Sequence, residues 1–222
     1  YNGGGIGCKL CTTGQYNDQV GKASCKKCGT GLYNNKYGIV HEDHVACVGC
    51  AKGSYNPSLG QSYCATCPYG QYSGHYASSS CKKCATGKYS HLSGRFAESS
   101  CKNCVAGMYN DEVGKRLCHE CDPGKYNDEE GQSSKFACKR CGQGRYGRSN
   151  SRKTDCLKCG IGKYNDKLGQ ESISSCINCP AHSSTAKDGT IDISLCYIMC
   201  WFQDSAINDQ PCIAPDGTMN DP

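Results

Sequence analysis

The sequence predicts small disulfide-rich repeats arranged as an elongated linear array, with short irregular β-strands and loops and little or no helix. Three observations carry that expectation. Cysteine makes up 23 of 222 residues, a density typical of disulfide scaffolds. Val, Ile, Leu and Phe together number only 27, too little apolar surface to offset chain entropy by burial alone. The cysteines also recur in a fixed pattern: ten Cys-x-x-Cys pairs, at Cys8/Cys11, Cys25/Cys28, Cys47/Cys50, Cys64/Cys67, Cys81/Cys84, Cys101/Cys104, Cys118/Cys121, Cys138/Cys141, Cys156/Cys159 and Cys176/Cys179. Periodic self-similarity of this kind marks repeat architectures, and many small covalently held units replace a single large core.

Residues 1–7 read as the tail of a preceding repeat, because Tyr1-Asn2 resembles the Tyr-Asn that closes a Gly-x-Tyr-Asn further on. The chain does not begin with Met and shows no signal peptide, so a processed or excised piece is expected.

Residues 8–179 are the tandem repeats. Nine of the ten pairs are followed by Gly-x-Tyr at one offset: Gly14/Tyr16, Gly31/Tyr33, Gly53/Tyr55, Gly70/Tyr72, Gly87/Tyr89, Gly107/Tyr109, Gly124/Tyr126, Gly144/Tyr146 and Gly162/Tyr164. Asn follows the Tyr in six of the nine, and a second Gly stands five residues past it in seven (Gly21, Gly38, Gly60, Gly94, Gly114, Gly131, Gly169). The glycines suit turns that need positive φ, and Asn-Asp pairs favour turn conformations. The intervening segments are long enough for short strands and too short for helices, and no helical apolar period appears. The expected product is a series of small loops with scant ladder structure and no hydrophobic layer. In each repeat the Tyr is expected to pack on its own disulfide and the neighbouring loop; an exposed aromatic ladder for glycans or partner chains is the other reading.

The spacing also bears on pairing. From the second Cys of one pair to the first of the next, the loops contain 13, 18, 13, 13, 16, 13, 16, 14, 16 and 16 residues. They do not alternate, which argues for one disulfide per repeat. The simplest rule joins each second Cys to the next first Cys: Cys11–Cys25, Cys28–Cys47, Cys50–Cys64, Cys67–Cys81, Cys84–Cys101, Cys104–Cys118, Cys121–Cys138, Cys141–Cys156, Cys159–Cys176 and Cys179–Cys196. Bridges inside a Cys-x-x-Cys would constrain little, whereas a loop of roughly 15 residues is worth about 3 kcal/mol in the chain-entropy model. Extended once more, the rule gives Cys200–Cys212 and leaves Cys8 unpaired here, with its partner expected upstream of Tyr1. Residues 180–200 form a variant repeat and 201–222 a degenerate terminal one, where Met219-Asn220-Asp221 parallels Tyr109-Asn110-Asp111.

The unit Cys11-x-x-Gly14-x-Tyr16…Cys25 resembles the first loop of tumour-necrosis-factor-receptor cysteine-rich modules and, more closely, the ephrin-receptor-like extracellular repeats. The resemblance runs from Tyr1 to about Cys212, and Cys179-Pro180-Ala181-His182-Ser183-Ser184-Thr185…Cys196 is similar to a variant repeat of that family. Where the family usually has Cys-x-Cys, this chain has Cys196-x3-Cys200. A weaker likeness is to the Cys-x-x-Cys-rich surface proteins of protozoan parasites. The resemblance implies extracellular, non-enzymatic modules used in receptors, adhesion proteins and matrix.

Several chemistries compete for the same residues. Paired Cys-x-x-Cys motifs at this separation also fit zinc ribbons, but the unbroken series and the recurring Tyr favour disulfides. A redox Cys-x-x-Cys lacks its βαβ setting. His41-Glu42-Asp43-His44 reads as an exposed polar insertion rather than a metal site. Clusters such as Asn127-Asp128-Glu129-Glu130 meet no calcium-loop spacing. No catalytic set stands out, so neither an enzyme nor a cofactor is expected. Lys or Arg falls inside the cysteine knuckle in six of ten repeats (Lys9, Lys26/Lys27, Lys82/Lys83, Lys102, Lys139/Arg140, Lys158), while acids cluster after the Tyr (Asp18, Asp111/Glu112, Asp128/Glu129/Glu130, Asp166). Solvated faces explain this pattern; complementary lateral contact between staggered arrays is the sharper reading. A net charge of +5 is too diffuse to argue for nucleic acid and leaves an anionic polysaccharide open. No Asn-x-Ser/Thr sequon exists, because Pro57 interrupts Asn56-Pro57-Ser58; Ser78-Ser79-Ser80 and Ser183-Ser184-Thr185 remain open to O-glycans. The longest apolar run, Ile198-Met199-Cys200-Trp201-Phe202, is far short of a membrane span.

The function expected from the sequence is therefore an extracellular structural protein, secreted or at the cell surface: a disulfide-stapled rod forming a stalk, surface coat or filament by self-association. A receptor or adhesion ectodomain that binds a protein or glycan is the alternative.

Overall fold

A computed structural model describes residues 10–19, 22–40, 46–148 and 154–198. The expectations for Cys8, Gly21, the 1–7 tail, His41-Glu42-Asp43-His44, Cys200–Cys212 and residues 201–222 lie outside the described residues.

Each repeat is built on one small hairpin. The Tyr and the residue before it form a two-residue strand that pairs, antiparallel, with the two residues inside the next cysteine knuckle. Gln15–Tyr16 pairs with Lys26–Lys27 in this way, and Lys125–Tyr126 with Lys139–Arg140. The glycine that opens the strand has positive φ, as at Gly14 (77°) and Gly124 (74°), and its carbonyl accepts the amide of the knuckle's second cysteine (Cys28 to Gly14, Cys141 to Gly124). A two-residue ladder is marginal alone; the disulfides on the knuckle strand hold it. Nine described bonds join second cysteines to the next first cysteines, from Cys11–Cys25 to Cys179–Cys196, with Cα separations of 5.5–5.8 Å. Cys104 and Cys118 are disulfide-bonded as well.

Loop length decides one local detail. Four bonds close with a sequence separation of 17: Cys84–Cys101, Cys121–Cys138, Cys159–Cys176 and Cys179–Cys196. Each of these loops spends its additional residues on a single 3-10 turn just before the closing cysteine, Glu98–Ser100, Lys135–Ala137, Ile173–Ser175 and Ile193–Leu195. Ser134, Ser172 and Asp192 cap three of them through side-chain oxygens, the expected chemistry at a helical N-terminus.

The ladder does not stop at the hairpin, and successive repeats are joined through backbone. The amide of the first glycine donates to the carbonyl after the Tyr of the following repeat: Gly14 to Asn34, Gly31 to Asn56, Gly87 to Asn110, Gly107 to Asn127, Gly144 to Asn165. Parallel bridges run the same way, Tyr72 to Arg95 and Tyr146 to Gln170 among them. The second glycine donates to the second cysteine of the preceding repeat, Gly60 to Cys28 and Gly169 to Cys141. Second neighbours also touch. A Cβ on Gly70 would stand 2.0 Å from the Gly114 carbonyl oxygen, and one on Gly144 would stand 2.1 Å from that of Gly189. Repeat n therefore meets both n+1 and n+2 through backbone, and only glycine permits that approach.

The chain forms two compact units. The first extends to Asn103 and takes up Asn110–Cys118; the second holds Cys104–Tyr109 and resumes at His119. In both, the buried set is cystine with few companions. Tyr16 clusters with Cys28 and Cys47, and Tyr146 with Cys159 and Cys176. These two tyrosines lie against the disulfide of the following repeat, not their own, because the Tyr strand pairs with the knuckle that opens that next disulfide. The tyrosine thus ties successive repeats together.

The remaining signature tyrosines are less fully covered. Tyr33, Tyr55, Tyr89 and Tyr164 are not enclosed by their repeats: each is only half-buried, as are Tyr72, Tyr109 and Tyr126. Their strands turn to the next knuckle, with Tyr33 opposite Val48, Tyr55 opposite Ala65, Tyr89 opposite Lys102 and Tyr164 opposite Ile177. A two-residue strand against a two-residue knuckle is too narrow to cover a phenol ring. Tyr16 is sealed more fully where Ala46, Leu32 and Ile39 join its cluster. None of the nine tyrosines is exposed, so they form no aromatic ladder on the surface either.

Candidate interaction surface

The repeat signature is consumed by the joints. Asn110, Asn127 and Asn165 are fully buried. Each donates its amide Nδ2 back to the preceding repeat, to the carbonyls of Lys88 (2.6 Å), Met108 (3.1 Å) and Arg145 (3.0 Å), and accepts an amide two residues on at its Oδ1. Asn34 and Asn56 make the same backward bond to Gln15 and Leu32. The sequence points to a turn role for these asparagines; the structure adds the rivet between repeats. Departures from the signature are absorbed in place. Ala77 and His182, the two non-glycine residues described at positive φ (53° and 61°), occupy the second-glycine and first-glycine positions of their repeats. Opposite Ala77 the knuckle carries Gly49, whose added Cβ would lie 3.2 Å from the Ala77 Cβ. In other repeats the arrangement is reversed: the stems of Lys27, Lys83 and Lys158 pack over Gly60, Gly114 and Gly189.

Twenty cysteines are disulfide-bonded, so none of those sulfurs is available as a zinc thiolate. What the joints leave for recognition is charge, exposed rings outside the signature, and loops. In the second unit several charges pair: Lys139 with Asp128 (2.8 Å), Lys125 with Asp122 (2.8 Å), Arg145 with Asp155 (2.8 Å) and, between repeats, Lys158 with Asp188 (3.1 Å). The hydrogen bond from Lys139 holds the Asp128 carboxyl below the usual carboxylate range and raises the lysine in return; Lys125 lowers Asp122 in the same way. Part of the alternation of basic knuckles and acidic loops seen in the sequence is thus engaged inside the unit.

The first unit is different. Among the described residues it carries 12 Lys and Arg against 4 Asp and Glu, a balance of +8, whereas the second carries 10 against 10. No Asp or Glu stands between Asp43 and Glu98. At the centre of that stretch is an irregular repeat, Cys67–Cys81, with Ser73 in place of Asn and Ala77 in place of Gly. An open cavity of about 380 Å³ lies in its loop, bounded by Tyr72, His75, Tyr76, Ser79 and Lys82. Lys52 approaches the Tyr76 ring (5.5 Å) and the Arg116 guanidinium lies 4.2 Å from the centre of the Tyr69 ring. Desolvation, then the charge of Glu98, raises the Tyr72 hydroxyl's pKa. Of the serines open to O-glycans, Ser78 is engaged with Ser73 and the His75 carbonyl, while Ser79 and Ser80 are exposed. Lys52, Tyr69, Tyr76 and Arg116 escaped the sequence reading because they stand outside the repeating positions.

Residues 38–84 and 148–196 match the model of a family described as tyrosine-protein kinase ephrin type A/B receptor-like. These two segments are similar to ephrin-receptor-like repeats. One lies in each unit, and the second takes in the Cys179–Cys196 loop with its substituted His182. No curated protein matches the chain. The ephrin-receptor-like match and the dense cystine framework point to an extracellular ectodomain, since disulfides of this density persist in oxidising surroundings. No helix among the described residues is long and apolar enough to cross a membrane.

Proposed function

We propose that the chain is a non-enzymatic extracellular scaffold, a disulfide-stapled repeat rod whose task is to hold a fixed geometry as part of a stalk, coat or filament, on the cell surface or secreted. The use of the signature residues for joints supports this: Gly, Tyr, Asn and Cys all bind one repeat to the next, and second-neighbour contacts make bending costly. Short repeats with nearest-neighbour interfaces propagate order along the chain. Electron microscopy of the intact protein tests the reading. Extended particles of uniform contour, or filaments assembled from them, are expected; compact globules or particles of variable contour would contradict it. A receptor or adhesion ectodomain is the second reading, favoured by the family's description and by the surplus of basic side chains in the first unit.

A further inference from the structure

We propose that the first unit binds a sulfated polysaccharide across the Cys67–Cys81 repeat, through Lys52, Lys82, Lys83 and Arg116 set around the exposed rings of Tyr69 and Tyr76. Lys82 and Lys83 stand side by side on the strand that pairs with Gln71–Tyr72. Lys82 borders the open cavity with His75 and Tyr76, Lys83 extends across Gly114, and Arg116 reaches back over Tyr69. Tyr69 and Tyr76 are 43% and 68% exposed, and neither stands at a position of the repeat signature.

Charge and shape select the partner. A stretch with no carboxylate from His44 to Ala97 presents a positive field to a polyanion, and of the acids near Arg116, Glu112 is paired with Lys115 (3.0 Å). The cations come from knuckles and loops of successive repeats, which suits a ligand whose own charges repeat along a line. Ring faces beside cations accept the C–H face of a sugar while its sulfates reach the lysines. The cavity is shallow and lined with hydroxyls, so it lacks the desolvated apolar pocket that anchors a protein partner. This proposal does not depend on the scaffold reading.

Heparin-column elution of the intact chain, with binding measured across a salt series, is the test. Wild type is expected to be retained at physiological salt. The K82S/K83S variant should elute at lower salt and lower the salt slope by about two, one for each lost cation. The K52S/R116S variant should behave alike, and Y69S/Y76S should weaken binding with the slope unchanged. The K163S/K167S variant, which removes the same charge from the second unit, should elute with wild type; K52S/R116S, Y69S/Y76S and K163S/K167S should keep the wild-type thermal midpoint, and K82S/K83S, which loses the Lys83 stem over Gly114, should remain folded at the temperature of the column. Failure of wild type to bind would overturn the proposal. So would an equal loss in K163S/K167S, which would assign retention to net charge, or equal binding of desulfated heparin or polyglutamate, which would assign it to any polyanion or to an acidic protein. None of these outcomes bears on particle shape.

Discussion

Lys139 of the second unit lies 2.8 Å from Asp128, inside the neighbouring acidic loop of its own unit, while Lys82 and Lys83 of the first unit occupy equivalent knuckle positions in a stretch that contains no acid from His44 to Ala97. The backbone around both knuckles is the same: a Tyr strand opposite, a cystine on either side, a glycine of a later repeat beneath the second basic stem. Identical joints thus carry two electrostatic surfaces. The repeat must keep the geometry of Cys, Gly, Tyr and Asn. It is at liberty to vary the two residues inside the knuckle and the loop that follows the Tyr. Function that differs between units should reside in the second set.

Substitutions in the first set should be costly in both units, and the largest effect is expected from the cystines. Replacing Cys84 and Cys101 together by Ser, or Cys159 and Cys176, should each cost about 2–5 kcal/mol by denaturant unfolding. A loss confined to one unit would break the equivalence of the joints. Next come the glycines. Gly70→Ala and Gly144→Ala place a methyl group against a carbonyl oxygen of the second neighbour at a backbone of positive φ, for an expected loss of about 2 kcal/mol or more. Gly142→Ala, where an added Cβ meets nothing within 4 Å, is the control and should stay within about 0.5 kcal/mol. The asparagine rivet follows: Asn110→Ala in the first unit and Asn127→Ala in the second each leave a buried carbonyl without its donor, at about 1–3 kcal/mol by thermal or urea denaturation.

The smallest effect distinguishes the units. Asp122, Asp128 and Asp192 of the second unit are held below the ordinary carboxylate range, the first two chiefly by hydrogen bonds from Lys125 and Lys139 and the third by Ser194. In the first unit Asp18 is lowered in the same way by Lys26. A carboxyl depressed in the folded state contributes stability above its unfolded pKa, and that contribution fades as pH falls through the folded value. Below the ordinary carboxyl value of 3.8, the second unit should therefore weaken slightly more than the first. Melting curves of wild type and Asp128→Asn, compared at neutral and acid pH, check it. The two should differ at neutral pH and converge in acid; a constant difference would show that Lys139 and Asp128 do not act as an ion pair.

Much of the architecture was legible because its determinants are local. The spacing of Cys, Gly and Tyr announced short strands and loops in place of helices, and the shortage of Leu, Ile, Val and Phe announced cystine in place of a core. Contacts set by the winding of one repeat on another were not legible. Nothing in Tyr146 itself says that its ring lies on the Cys159–Cys176 bond, nor in Tyr164 that the same signature leaves it half-buried, nor in Asn127 that its amide reaches Met108. The reciprocal exchange at Gly49 and Ala77 involves residues far apart in sequence, whose proximity only the fold supplies. The basic surface was hidden for a simpler reason: a single net charge averages two units of different character, and the boundary between them falls within an uninterrupted repeat.

The central claim is that every joint is a cystine linking the second cysteine of one knuckle to the first of the next. Disulfide mapping by proteolysis and mass spectrometry, without reduction, addresses it directly. The account predicts cross-linked peptides such as those joining Cys67 to Cys81 and Cys159 to Cys176, with no thiol free among the described cysteines. Bridges closed within Cys-x-x-Cys pairs, or free thiols accompanied by stoichiometric zinc, would contradict it.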